Sequence, residues 1–184
     1  TKPRSLAEHL GTGRHYNINS KRGKLQLMFA QNSSENDVYN TDIASFYENI
    51  EFIEKNKPAI DEDIHLVNNQ IKGILPDVYK EFLKITNGAV LNGYVFYSTK
   101  EMIEMYKCHD FSNNMPEYIS IGNDNGDWEL VIKATKDATL CGFLDAGSIG
   151  ISDPDEWFDF RLWINEGCKM FEEDDNSDLG KVYI

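Results

Sequence analysis

The sequence is short of positive charge, of cysteine and of long apolar runs, and each shortage excludes something. No hydrophobic stretch approaches eighteen residues and the mean hydropathy is -0.49, so a helical membrane protein is excluded and a soluble one is expected. Lys and Arg number 18 against 31 Asp and Glu, a net charge of -13, which would repel nucleic acid and anionic lipid and suits a basic partner. Three cysteines, Cys108, Cys141 and Cys168, cannot all pair within the chain, and no C-x-x-C or Cys/His spacing suggests zinc. The first residues do not read as a signal peptide, and the expected compartment is the reducing cytoplasm. Also missing are a Walker loop, a third glycine after Gly11-Thr12-Gly13, an H-E-x-x-H pair and any repeat of fixed period, so no cofactor, metal or phosphate site is expected.

What is present is enough for one domain. The 184 residues, 41% hydrophobic and 12% aromatic, can bury a core. Charge is unevenly placed: Lys2, Arg4, Arg14, Lys21, Arg22 and Lys24 against Glu8 give residues 1–30 a net of +5 and leave -18 for the rest. Residues 1–40, rich in Gly, Asn, Ser and basic residues, are expected to be a poorly ordered arm. Residues 41–171 are expected to form the folded domain, and 172–184 an acidic, mobile tail.

Within 41–171 the spacing predicts a helix over Ile43, Phe46, Tyr47, Ile50 and Ile53, stopped by Pro58. A second helix is expected over Ile60, Ile64, Val67 and Ile71 after the acidic start Asp61-Glu62-Asp63, ended by Gly73. A third runs from Pro76 through Tyr79, Phe82 and Leu83 to a left-handed exit at Asn87-Gly88. Tyr94–Tyr97 predicts a strand, and Ser98 with Glu101 a capping box opening a short helix through Met102, Met105 and Tyr106. Tyr118–Gly122, Trp128–Lys133 and Leu140–Leu144 read as meander strands. Asp153-Pro154-Asp155-Glu156 then predicts a last helix carrying Trp157, Phe160, Ile164 and Cys168. Its other side, Phe158, Leu162 and Trp163, is also apolar, so it must be wedged in the core or committed to a partner.

Cys108-His109-Asp110 holds the residue types of a catalytic triad, but consecutive side chains rarely converge, and no enzyme is expected. The loop Asn123-Asp124-Asn125-Gly126-Asp127 has its glycine at the wrong offset for an EF-hand and reads as a hairpin turn.

Leu75-Pro76-Asp77-Val78-Tyr79-Lys80-Glu81-Phe82-Leu83 with Asn87-Gly88, then Tyr118 to Asp127, then the aromatic stretch Asp155–Phe171, together resemble the SUKH superfamily of bacterial toxin-immunity proteins and fungal cell-wall-synthesis regulators. The resemblance covers residues 60–171. It implies an α+β fold, a single mainly antiparallel sheet packed by helices, that acts by binding. An immunity protein covering a cognate toxin, a basic nuclease, is the expectation, with a regulatory scaffold of the cell-wall type as the alternative. For the partner surface the expected residues are the acids Asp124, Asp127 and Glu129 with the aromatic anchors Trp128 and Trp157.

Overall fold

The computed structural model describes residues 43–48, 50–154 and 156–169. The expected arm at 1–40 and tail at 172–184 lie outside the described residues.

Helix α1 spans Ile43–Glu48 and is shorter than expected. The stripe does not continue to Ile53, which is exposed, because the Ile53 N–H donates to Val90 O at 2.8 Å and strand β1 (Glu54–Lys55) joins a sheet edge there. Sheet pairing takes the backbone groups that another helical turn would have needed. Helix α2 (Asp61–Gln70) buries Ile64 and Val67. Ile60 is its exposed N-cap rather than part of the inward stripe, and Ile71, just past the helix, is buried. The helix stops at Gln70, before Gly73. Asn68 Oδ1 helps turn the chain back by accepting the Leu75 N–H at 2.8 Å.

Helix α3 (Asp77–Ile85) follows the prolyl N-cap Pro76 and buries Tyr79, Phe82 and Leu83, as its spacing predicts. Its exit differs, since Thr86 is extended and only Gly88 takes a positive φ, at 91°. The Thr86 hydroxyl, donating to Gly88 O at 2.6 Å, holds that corner.

Strands β2 (Ala89–Leu91) and β3 (Tyr94–Phe96) form a hairpin whose turn, Asn92-Gly93, has φ of 48° and 83°. Two successive left-handed residues match the twist of a hairpin, and Asn-Gly is the pair that tolerates them. Helix α4 (Thr99–Cys108) opens on the expected capping box: Ser98 Oγ accepts the Glu101 N–H at 3.3 Å and the Glu101 carboxylate accepts the Ser98 N–H at 2.8 Å. A short α5 (Phe111–Asn114) follows. The meander is β4 (Tyr118–Asn123), β5 (Trp128–Lys133) and β6 (Leu140–Asp145).

The predicted helix start at Asp153 is corrected. Among the described residues no helix opens there; strand β7 (Phe158–Asp159) comes first, and helix α6 covers only Phe160–Asn165, with Asp159 accepting the Leu162 N–H at 3.1 Å as N-cap. Phe158, expected within the helix, pairs with Cys141 at the sheet edge instead. Pro154 and Glu156 pass over Gly142 of β6, where any Cβ would overlap the Glu156 carbonyl oxygen. Trp157 therefore precedes the helix, and Cys168 follows it, closing the end by donating its N–H to Trp163 O at 2.9 Å. The last helix is wedged in the core, with Phe160, Trp163 and Ile164 buried.

Among the described residues seven strands lie in sequential order, antiparallel throughout, an α+β architecture. Register places Phe96, Leu130, Ile132 and Cys141 on one face, where rings of α3 and α6 cover it: Phe82 lies 5.3 Å from Phe96 and 5.8 Å from Phe160. The Tyr79 hydroxyl donates to Ile121 O at 2.7 Å, where a bulge interrupts the pairing of β4 with β5. Arg161 pairs with Glu81, tying α6 to α3. Tyr97, Ser120, Glu129 and Val131 point to the opposite face, against which α4 packs, with α2 packed in turn on α4. With helices on both sides, most of β4 and the middle of β5 are buried without alternation.

Candidate functional site

The β4–β5 turn is built by its own side chains. Asn123 Oδ1 accepts the Asn125 N–H at 2.8 Å, and Asp124 Oδ1 accepts those of Gly126 and Trp128 at 2.9 and 3.1 Å. These bonds, and the left-handed Asn125 at φ 61°, make the acidic loop a hairpin turn, as the sequence suggested. Asp127 O accepts the Ala146 N–H at 2.8 Å, which fastens the turn to the chain leaving β6. There Asp145 caps the 3-10 turn Ala146–Ser148, its Oδ1 accepting the Gly147 N–H at 2.7 Å.

The five residues expected at a partner surface separate into three places. Asp124, Asp127 and Trp128 stand together at the turn, and Trp128 is 47% exposed. Directly across the ladder from Trp128 is Asp145, on the same face of the sheet; sequence reasoning passed it over, since its position follows only from the β5–β6 register.

Glu129, the next residue, points to the other face and is only 6% exposed. It therefore offers no rim charge. Its carboxylate accepts the Tyr97 hydroxyl at 3.0 Å and the Ser120 hydroxyl, and His109 Nε2 lies 3.7 Å away. Asn123 Nδ2 donates to the Tyr97 oxygen at 2.7 Å, so four polar side chains gather round one buried acid. A carboxylate leaves water only where donors replace its hydration, and here the hydroxyls of Tyr97, just past β3, and of Ser120 on β4 supply them. The sequence signal for this was an acid at the head of an apolar run, which was read as exposed. Burial chiefly, and then the charge of Glu129, pushes the Tyr97 phenol well above its usual range.

Trp157 is at the far end of the same strand pair. It is buried, stacked on Tyr118 with ring centroids 5.6 Å apart and with Lys133 Nζ 5.9 Å from its ring.

Cys108, His109 and Asp110 diverge. Cys108 is exposed at the end of α4, His109 turns toward Glu129, and Asp110 accepts Asn113 Nδ2 at 3.0 Å at the start of α5. Cys141 and Cys168 are free and buried, and burial holds both thiols well above the usual range. Among the described residues there is no group of three or more His, Cys, Asp or Glu placed to hold a metal ion, and no helix long and apolar enough to cross a membrane.

The fold thus defines a class, an antiparallel sheet held between helices with an acidic, tryptophan-bearing turn at one end. Residues 58–179 match the SMI1 / KNR4 family (SUKH-1), more than half of the sequence, and the chain belongs to that family. None of the curated proteins matches it.

Proposed function

We propose that the chain is an immunity protein that binds a cognate toxin, a basic nuclease, in the cytoplasm and neutralises it by protein–protein contact rather than by catalysis. Family membership supports a protein of the immunity or regulator kind. The observation that carries the choice between them is charge: -18 beyond residue 30 is the complement of an enzyme that must hold phosphates, and it speeds encounter with one. The second reading, a regulatory scaffold, draws on residues 1–57, which precede the matched region and include the net +5 of residues 1–30.

The test is co-expression in a bacterial host with any toxin-like reading frame encoded directly upstream of its gene, and the absence of such a frame counts against the immunity reading. Growth should be restored by the chain, and equally by a variant carrying Cys108→Ala, His109→Ala and Asp110→Ala. Growth arrest in the presence of the soluble chain overturns the immunity reading, and loss of protection by the folded triple variant overturns the non-catalytic one.

A further inference from the structure

The three tryptophans are treated differently by the fold. Trp163 packs among Tyr94, Phe143 and Phe158, with centroids 4.9, 5.8 and 4.9 Å away. Trp157 has Tyr118 on its ring and Lys133 over it. Trp128 has no ring neighbour and no lysine among the described residues, and half of it meets solvent.

Its surroundings are anionic. Asp145 faces it across the ladder, where opposed Cβ atoms lie about 5 Å apart. Asp127 precedes it, and Asp124 accepts its N–H. No basic side chain of the described residues pairs with any of the three acids. Turn bonds fix Asp124 and Asp145, so that charge is held in place before a partner arrives.

We propose that Trp128 is the seat for an arginine side chain of a basic protein partner, stacked on the indole face with Asp127 and Asp145 supplying the countercharge. The inference rests on reading the chain as a binder of a basic protein. An indole face attracts cations through its quadrupole, and the flat, weakly hydrated guanidinium stacks on it better than an ammonium. An apolar anchor would strip water from these carboxylates without replacing it, and a phosphate would be repelled. The fold already uses the same chemistry internally, where Lys133 covers Trp157.

The test is titration of the full chain with a nona-arginine peptide, a nona-lysine peptide and a neutral Gly/Ser peptide, followed by tryptophan fluorescence and calorimetry. Nona-arginine should bind saturably and more tightly than nona-lysine, and the neutral peptide should not bind. Trp128→Ala should weaken binding by about tenfold or more, and Asp127→Asn or Asp145→Asn by about threefold to fivefold each. Asp137→Asn and Glu117→Gln remove the same charge at exposed positions elsewhere and should change affinity by less than about twofold. Equal losses at all four acids would mean diffuse attraction, and unchanged binding by Trp128→Ala, or equal affinity for the two cationic peptides, would remove the stacked arginine; each overturns the proposal. Protection from the toxin separates the two claims. A Trp128→Ala chain that still protects defeats this seat and leaves the immunity reading standing, whereas a wild-type chain that never protects defeats that reading while the peptides still judge the seat.

Discussion

Trp128 and Glu129 are consecutive on one strand and have exchanged their customary places. The tryptophan, 47% exposed, stands at the end of a sheet face with carboxylates about it, while the glutamate, 6% exposed, lies inside under the α4–α5 corner. Side chains of a strand alternate between faces, so register and neighbours decide burial here, and hydrophobicity alone does not. The two sites are also specified in different ways. The inward carboxylate needs the hydroxyls of Tyr97 and Ser120, from two other segments, to replace its water, whereas the outward ring needs neither. Damage to the first should appear as lost stability, and damage to the second as lost binding.

Alkali separates the regions most strongly. Tyr47, Tyr79 and Tyr97 all have phenols pushed up from the usual value of 10.0, chiefly by burial, which favours the neutral form. The unfolded chain releases these protons near pH 10 while the folded chain keeps them. Above that pH the unfolded state binds fewer protons, and stability falls as pH rises; below it the contribution is fully present. Circular dichroism from pH 7 to 12 should show cooperative unfolding beginning near pH 10, with phenolate absorbance rising in the same transition. Phenolate absorbance that completes its rise while the fold persists would show that these tyrosines are not held in the interior.

Next in size is Glu129→Ala, which strands the hydroxyls of Tyr97 and Ser120 beside a histidine and should cost about 3 kcal/mol or more in urea unfolding. Tyr97→Phe removes one donor to Glu129 and the acceptor for Asn123, leaving Ser120 and His109 in place, and should cost about 1–3 kcal/mol. If the smaller deletion proves the more damaging, the carboxylate is not the centre of the cluster.

How much of this was legible follows from how local each signal was. The three meander strands, the Ser98–Glu101 capping box and the Pro76 helix start depend on residues close in sequence, and the structure has them within a residue or so. The β2–β3 hairpin carried a local signal too, Asn92-Gly93 between apolar residues, and was overlooked because Ala89–Leu91 is so short. The last helix failed for a reason no local pattern contains: Asp153 to Trp157 had every mark of a helix start, but Pro154 and Glu156 pass over Gly142 of β6, and Phe158 and Asp159 then pair with that strand's edge. The site divides likewise. Asp124 and Trp128 were readable from the turn, while Asp145 beside them and the inward aim of Glu129 require the register of strands that only the folded sheet brings together.

The smallest expected effect bears on the exposed half of the comparison. Trp128→Ala should lower stability by only about 1 kcal/mol, because half of the ring is already wet and no other ring among the described residues packs on it. The same substitution has a spectroscopic signature. Of the three indoles, Trp157 and Trp163 are buried, so the red edge of native tryptophan emission belongs to Trp128 and the variant should emit further to the blue. Urea unfolding and the emission maximum can be read from one sample. A loss of about 3 kcal/mol, or an unmoved maximum, would mean that Trp128 is packed like the other two. The contrast with Glu129 would then dissolve, because both faces of the strand would be interior.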